Sequence, residues 1–316
     1  MANRVFTSEE LKQMCVRPVD AAVEAATAGD REKLVEWVDK MYKAAVRSFN
    51  LRRNWDRGLT DKIYEKQGVE GIAAVMKNCT FTEAQLQELL VTEDYIEEIY
   101  RAFDAGEKEQ VVEKIQTLHK MSREFHDIRI KWENYLMGYI YEEIGGDDLY
   151  EAMRKVVSSY NAAPIETARE GDFRKRVEQT IWGLHSHGEP LYAIEDDEKV
   201  SVYMNPCGSG QMLVESGCFS SPDKGRYVGP HRITWQMEHF PAYCVHAPVQ
   251  EILSIEALGF PYFVNCPCQE LKDPNWKFAH QSCAFSVYKD NNAIPDEVYQ
   301  RLGLEKPVIT LKNHNL

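Results

Sequence analysis

The sequence predicts an α+β protein, with a helical N-terminal half followed by a cysteine-rich α+β domain that has a mainly antiparallel sheet. In the first half, apolar residues recur at steps of three and four, the period of an amphipathic helix. After Gly188 the pattern changes to short runs rich in Val and Tyr with turn residues between them, which indicates strands. We predict a helical domain over residues 1–165 and a Cys/His metal-binding α+β domain over residues 166–316, with the boundary at an Asn-Ala-Ala-Pro stretch.

Two long amphipathic helices are expected in the N-terminal half. The first begins after Asp30, because a short side-chain oxygen can accept hydrogen bonds from the first free N–H groups of a helix. Its apolar stripe consists of Leu34, Val38, Met41, Ala45 and Phe49. The second covers residues 107–144 and ends at a Gly-Gly pair. Thr82 and Thr92 are expected to cap shorter helices between these two.

The strands are expected after residue 190. The runs that predict them are residues 191–197, 199–206, 211–216, 260–265 and 283–289. Helical spacing over residues 248–259 and 294–303 predicts two helices, and the first of them stops at Gly259. These elements together predict a small sheet with helices beside it.

The composition excludes several classes of protein. The chain has 316 residues and a net charge of −13, which argues against nucleic-acid binding because such proteins carry a basic surface. No apolar run reaches the ~18 residues of a membrane-spanning helix, and the N-terminal residues lack the apolar stretch of a secretory signal. We therefore expect a cytoplasmic protein that binds neither nucleic acid nor membrane. In a reducing compartment, clustered cysteines indicate a metal or catalytic site before they indicate disulfides.

Six of the eight cysteines follow residue 200, and five of these six are candidate metal ligands. The five are Cys207, Cys244, Cys266, Cys268 and Cys283. Thiolates suit Zn²⁺ or iron, and we predict zinc as the cofactor. Four thiolates would form a closed structural site, whereas three protein ligands and a water would form a catalytic one. Cys207 is expected at the tip of a hairpin, because the glycines that follow it allow a tight turn.

Two residues near Cys244 are candidates for proton transfer. On a strand, Cys244 and His246 would point to the same side and could reach one metal ion. The imidazole of His246 also titrates near neutral pH, which suits a general acid or base. Glu251 follows closely enough to support His246 or to shuttle protons, and a solvated helix face is the alternative for this carboxylate.

Other histidines have weaker claims to a functional role. His231 lies in a Pro/Gly-rich turn region beside Arg232, where it could bind an acidic substrate or transfer a proton, and a plain loop histidine is the alternative. His185 and His187 form an H-x-H pair at the end of a predicted helix. Such a pair can bind a metal, but a helix C-terminus favours a histidine cation for reasons unrelated to metal.

Four strings in the C-terminal half resemble those of an uncharacterised bacterial Cys/His metal-binding family. They are NPCGSGQ (205–211), YCVHA (243–247), EILSIE (251–256) and FSVYK (285–289), where the family has NPCGSGG, YCxHC, ExLPIE and a final aromatic-Val-Tyr-Lys strand. The last thiol strand is also similar to 4-vinyl reductase-type domains. Together with the string at 139–156, it is similar to L-2-amino-thiazoline-4-carboxylic acid hydrolase-like proteins.

These resemblances imply a small-molecule-binding α+β domain with a thiolate metal site and hydrolase activity. One position departs from the pattern, because Ala247 stands where the YCxHC string has its second cysteine. If that cysteine is a ligand in the family, this chain would have to use Cys266, Cys268 or Cys283 instead.

We therefore predict a zinc-dependent enzyme that acts on a small polar or S/N-containing molecule by hydrolysis or lyase-type cleavage. Three alternatives stay open: an iron–sulfur protein, a non-enzymatic small-molecule sensor with a structural zinc, and a metal-free enzyme in which Cys207 or Cys244 is the nucleophile. The long helix over residues 107–144 could pack within the chain or form a homodimer through the helical half.

Overall fold

The computed structural model describes residues 4–204, 206–266 and 283–316, and for Cys266 it describes the backbone alone. Two of the predicted metal ligands, Cys268 and the side chain of Cys266, therefore lie outside the described residues. The other predicted site residues lie within them.

Helices form nearly all of the described N-terminal half, and a small sheet follows, so the predicted α+β class is confirmed. The helices before the sheet are α1 (Ser8–Met14), α2 (Pro18–Ala28), α3 (Arg31–Met76), α4 (Glu83–Glu88), α5 (Glu93–Asp104), α6 (Lys108–Glu143), α7 (Gly146–Arg169) and α8 (Phe173–Leu184). Three shorter helices lie among or after the strands: α9 (Gly210–Glu215), α10 (His246–Leu258) and α11 (Asp296–Gln300).

The four-stranded sheet has the order β1-β2-β6-β5, and each neighbouring pair is antiparallel. Its strands are β1 (Leu191–Glu195), β2 (Lys199–Met204), β5 (Val264–Cys266) and β6 (Cys283–Tyr288). A separate two-stranded ladder consists of β3 (Tyr227–Val228) and β4 (Phe240–Pro241). The register between β2 and β6 pairs Met204 with Cys283, which brings the end of β2 to the start of β6.

Predicted caps account for where several helices begin. The side chains of Asp30, Thr82 and Thr92 accept hydrogen bonds from the first turns of α3, α4 and α5, as the sequence predicted. Helix α3 is interrupted at Gly68, whose φ of 63° lies in the left-handed region that glycine adopts without a Cβ clash.

The main hydrophobic core contains residues from both halves of the chain. Trp55 of α3 and Ile252 of α10 are almost completely buried in one cluster, and α7 packs between these helices. Helix α7 runs through the boundary predicted near residue 165, with Pro164 inside it. Burial of an aliphatic side chain such as that of Ile252 stabilises the fold by about 1.5–3 kcal/mol relative to leaving it exposed.

A second cluster covers the other side of the sheet. Phe173 and Val177 of α8 pack against Val200 of β2 and Val287 of β6. The N-terminal segment joins this cluster through Glu195, which accepts hydrogen bonds from the backbone N–H groups of residues 5 and 6 and pairs with a buried lysine. The N-terminal segment is thereby held against β1.

Two local predictions were wrong. Residues 210–215 form a helix rather than a strand, so Cys207 lies in the loop between β2 and α9 and not at the tip of a hairpin. Leu213 on this helix is fully buried. The run of three apolar residues in this segment has no clear alternation, so its pattern could not distinguish a buried strand from a buried helix. Cys244 lies in a 3-10 helix, Ala242–Val245, and His246 begins α10, so the two residues are not alternate positions of a strand.

Among the helices of the described chain, none combines the length and the apolar character needed to cross a bilayer.

Candidate functional site

A cavity of about 320 Å³ lies between α3, α8, the start of α10 and one end of the sheet. This volume is in the range of small-molecule binding pockets. Cys207, Cys244, Cys283 and His246, all predicted from the sequence as site residues, line this cavity together with His187. Aromatic side chains from five different parts of the chain form much of the remaining wall: Trp55, Tyr160, Trp235, Tyr243, Tyr262 and Phe285.

Helix α3 lines the cavity from the exposed surface to the deepest part. Lys43 and Arg47 are exposed, Leu51 is partly buried, and Arg52 and Trp55 are buried. Because a helix rises about 1.5 Å per residue, the lining stretch from residue 43 to residue 55 is about 18 Å long. The first two of these residues therefore mark the mouth of the cavity, and Trp55 lies at its floor.

Cys207 and Cys283 form a hydrogen-bonded pair on the cavity wall. The β2–β6 register brings Cys283 to the end of β2, and the chain reaches Cys207 three residues beyond that end. The Cys283 thiol and the backbone N–H groups of residues 209–211 hydrogen-bond to the sulfur of Cys207 and lower its pKa to about 6, against the opposing effect of burial. These hydrogen bonds therefore favour the thiolate form of Cys207.

The loop that carries Cys207 is itself fixed by side chains. Gln211 accepts a hydrogen bond from the backbone N–H of Cys207 through Oε1 at 3.1 Å. Ser209 Oγ lies 2.9 Å from Nδ1 of His187. Gly208 lies so close to Glu189 and Arg123 that an added Cβ would come within 2.8 Å of both side chains. These contacts hold the sulfur against the wall instead of leaving it on a free loop.

Cys244 also lines the cavity, but its surroundings favour the protonated thiol. Burial, together with the nearby charge of Cys207, raises the pKa of the Cys244 thiol well above its ordinary value. The site therefore combines one thiolate with at least one neutral thiol. Of these two sulfurs, Cys207 is the one whose surroundings favour the thiolate, the form that a nucleophilic cysteine needs.

His246 is held in one tautomer. Its Nδ1 donates to the backbone carbonyl of Tyr243 at 2.7 Å, so Nε2 carries the lone pair. Burial lowers the pKa of His246 to about 4, with Arg52 acting in the same direction. The imidazole is consequently neutral near pH 7 and can accept a proton or a hydrogen bond from a water in the cavity.

A buried ion pair supports the wall behind His246. Arg52 donates to Glu133 at 2.6 Å and to the hydroxyl of Tyr243 at 3.0 Å. Asn134, the next residue on α6, accepts from the backbone N–H of Tyr243 at 2.9 Å. Helices α3 and α6 thereby fix both the ring and the backbone of the residue that orients His246.

The structure does not bring the other two candidate proton-transfer residues to the cavity. Both carboxylate oxygens of Glu251 accept hydrogen bonds, from Trp235 Nε1 at 2.8 Å and from the backbone of Asn265 and the side chain of Arg301 at 2.7 and 2.6 Å. His231 lies 3.3 Å from Asp147 at the start of α7. Neither residue is among those that line the cavity.

The predicted metal centre is only partly described. Within residues 4–204, 206–266 and 283–316, no three His, Cys, Asp or Glu side chains form a group that could hold a metal ion. The backbone of Cys266 pairs with Ala284, beside Cys283, but its side chain and the whole of Cys268 lie outside the described residues. The described part of the site alone therefore consists of a thiol pair and separate histidines.

Sequence reasoning missed several residues of the cavity. The H-x-H pair drew attention to His187, but nothing indicated its contact with Ser209. No motif pointed to Arg52 or Trp55, because they lie on α3 and contact a site whose predicted residues all follow residue 200. Only the buried charge on the apolar side of α3, a position where arginine is unusual, could have pointed to Arg52.

No family model matches this chain, and neither the curated proteins nor the solved structures contain one with significant similarity to it. The conclusions about its function therefore depend on the fold and on the chemistry of the cavity. Together these define an α+β protein with a hydrogen-bonded thiol pair in a mainly apolar pocket that has several aromatic side chains in its wall.

Proposed function

We propose that this protein is a hydrolase or lyase that acts on a small organic molecule held in the cavity, with Cys207 as the nucleophile. The observation that carries the proposal is the hydrogen-bonded pair of Cys207 and Cys283 on the wall of a cavity that is also lined by the neutral imidazole of His246. A thiolate, a fixed acceptor and an apolar surround are the groups that nucleophilic catalysis by cysteine needs.

In this proposal, Sγ of Cys207 forms a bond to an electrophilic carbon of the substrate, and the electron pair of the broken bond leaves with the departing heteroatom. The thiol of Cys283 supplies the nearest proton for that heteroatom. Water then attacks the resulting thioester-type adduct while Nε2 of His246 accepts its proton, which releases the acid product and the thiolate of Cys207. Return of that proton from His246 to the sulfur of Cys283 restores the starting state.

The test is a screen of aryl ester, thioester and amide substrates with wild-type protein, Cys207→Ser and Cys15→Ser. Cys15 is a buried thiol that is not among the residues lining the cavity, and it is the matched control. We expect turnover and a covalent adduct, seen by intact-mass spectrometry, in the wild type and in Cys15→Ser. Loss of at least about a hundredfold is expected in Cys207→Ser, since removal of a nucleophile has effects of this size or larger. Full activity of Cys207→Ser would refute the proposal.

A zinc site remains the second candidate. The feature that favours it is the backbone register, in which Cys266 lies opposite Ala284 and so beside the Cys207–Cys283 pair. A third and fourth thiolate from Cys266 and Cys268 would complete a ligand set of the kind zinc prefers. Elemental analysis of protein purified without added metal distinguishes the two. About one zinc per chain, lost in Cys207→Ser and in Cys266→Ser, would favour the metal enzyme.

A further inference from the structure

The mouth of the cavity carries two cations on successive turns of α3. Lys43 and Arg47 are four residues apart, line the cavity and are exposed. Residues at this spacing lie on the same face of a helix, so both charges are directed to the same opening.

These two cations differ from their neighbours on the same helix. The other basic residues of α3 that pair with carboxylates are Arg31, Lys33, Lys40, Arg52, Arg57, Lys62 and Lys66. Within the described part of the chain, neither Lys43 nor Arg47 has a carboxylate within ion-pair distance. Of the other basic residues of α3, only Arg53 likewise has no carboxylate partner in that part of the chain.

The described lining of the cavity contains no aspartate or glutamate. The deeper cation, Arg52, already pairs with Glu133, so its charge is compensated within the protein. Beyond the mouth the described wall is mainly apolar, with neutral polar side chains such as those of Gln179, Gln250 and Asn265. The cavity therefore offers positive charge at its entrance and apolar surface at its floor, and the net charge of −13 would repel a free anion elsewhere on the surface.

We propose that the cavity binds an organic anion with an aromatic or otherwise apolar body, whose acid group lies between Lys43 and Arg47 and whose body extends toward Cys207. The inference names the substrate class of the proposed enzyme and rests on that proposal only for the reaction at Cys207. Binding of the anion itself requires no chemistry at the sulfur.

The experiment measures binding of 2-naphthoate and of its uncharged amide, 2-naphthamide, by isothermal titration calorimetry at neutral pH and low salt. The two probes share their ring and differ in charge. The proteins are the wild type, the double variant Lys43→Gln/Arg47→Gln, and Arg57→Gln. Arg57 is an exposed arginine of α3 outside the cavity lining and is the matched control.

We expect the wild type and Arg57→Gln to bind naphthoate about tenfold more tightly than naphthamide, because exposed ion pairs contribute factors of up to about five each. The double variant should lose this preference and keep its affinity for naphthamide, and added salt should reduce the preference in the wild type. Equal affinities in the wild type, no measurable binding of either probe, or a preference that survives in the double variant would overturn the inference.

Cys207→Ser separates this inference from the proposed function. If the anion is recognised at the mouth, Cys207→Ser should bind naphthoate as the wild type does, whether or not Cys207 is a nucleophile. A loss of naphthoate binding in Cys207→Ser, with unchanged unfolding temperature, would show that binding of the probe depends on residue 207 and would overturn recognition by Lys43 and Arg47.

Discussion

Cys207 combines burial with a low pKa, two properties that oppose each other in an isolated thiol. Hydrogen bonds to the sulfur outweigh the effect of burial, and the bond from Cys283 lowers the pKa most. Cys244 lines the same cavity without such a donor, and its pKa moves upward. Hydrogen bonds therefore lower the pKa of Cys207, whereas burial raises the pKa of Cys244.

Alkylation of Cys207 should have its half-maximal rate near pH 6, instead of the pH of about 8.5 expected for an ordinary cysteine. The folded state favours the thiolate, so the fraction of reactive Cys207 falls only as pH drops through 6. In Cys283→Ala the lost donor should raise this midpoint by at least one pH unit. Iodoacetamide labelling followed by peptide mass spectrometry measures it.

Cys244→Ala is the matched control for this prediction, because it removes another cavity thiol that does not donate to Cys207. Its midpoint should stay near that of the wild type or fall slightly. A wild-type midpoint above about 8, or equal shifts in Cys283→Ala and Cys244→Ala, would contradict the assigned role of the Cys283 hydrogen bond.

The buried pair Arg52–Glu133 should contribute much more to stability than an exposed pair of the same chemistry. Replacement of Arg52 by Met leaves Glu133 without its partner inside the protein, which costs about 3–5 kcal/mol. Arg31→Gln removes an exposed pair with Asp104 and should lower the free energy of unfolding far less, because water and salt screen an exposed pair. Urea unfolding monitored by circular dichroism provides both free energies of unfolding.

The double variant Arg52→Met/Glu133→Leu extends this test. It removes both charges, so it should be more stable than Arg52→Met alone. If the double variant is less stable than either single change, the pair does not act through uncompensated charge.

At the scale of single elements, the sequence predicted those whose pattern is local. Helices α3 and α6 and strands β1, β2 and β6 appear where periodicity and caps placed them, because a stripe at steps of three and four buries one face of a helix. The helix at residues 210–215 was not predicted, because its apolar run fits a buried strand as well as a buried helix. The 3-10 turn at Cys244 was not predicted either, since its position depends on Tyr243 packing against α3 and α6.

Two glycines in helices should respond oppositely to substitution. Gly68→Ala should destabilise the protein by about 1 kcal/mol, since its φ of 63° is unfavourable for a residue with a Cβ. Gly183→Ala should stabilise it by up to about 1 kcal/mol, because Gly183 lies in the regular helix α8, and no described atom is within 4 Å of an added Cβ. Thermal unfolding in matched buffer measures both.

Space does not explain the predicted difference, because the position at Gly68 is as open as that at Gly183. Stabilisation by Gly68→Ala would therefore mean that α3 does not adopt the left-handed conformation at this residue.

At the scale of the whole molecule, the cavity exists because distant parts of the chain meet. Its walls come from α3 near the beginning of the chain and from β6 near its end. Residue type and spacing identified the cysteines and His246. Sequence periodicity extends over ten to twenty residues only, so it could not identify their neighbours on α3. The boundary predicted near residue 165 likewise rested on a local turn signal, and α7 continues through that position.

The shared core predicts that the two halves unfold together. Ile252→Ala, at a fully buried position on α10, should lower the free energy of unfolding by about 2–5 kcal/mol and reduce hydrogen-exchange protection in α3 and α6 as well as in α10. Val308→Ala, at a position that is 92% exposed, is the control and should change stability by less than about 0.5 kcal/mol. Loss of protection confined to residues after 166 would instead indicate two independent units.

The pairing of β2 with β6 has a consequence for biosynthesis. A chain emerges from the ribosome N-terminus first, and its early helices can fold while the rest is still being made. Cys207 emerges long before Cys283, the donor that most lowers its pKa. During that interval the sulfur lacks its main donor, so its pKa lies closer to that of an ordinary thiol until β6 joins the sheet. Incomplete translation products, which lack the last strand, would therefore not have the lowered pKa at Cys207.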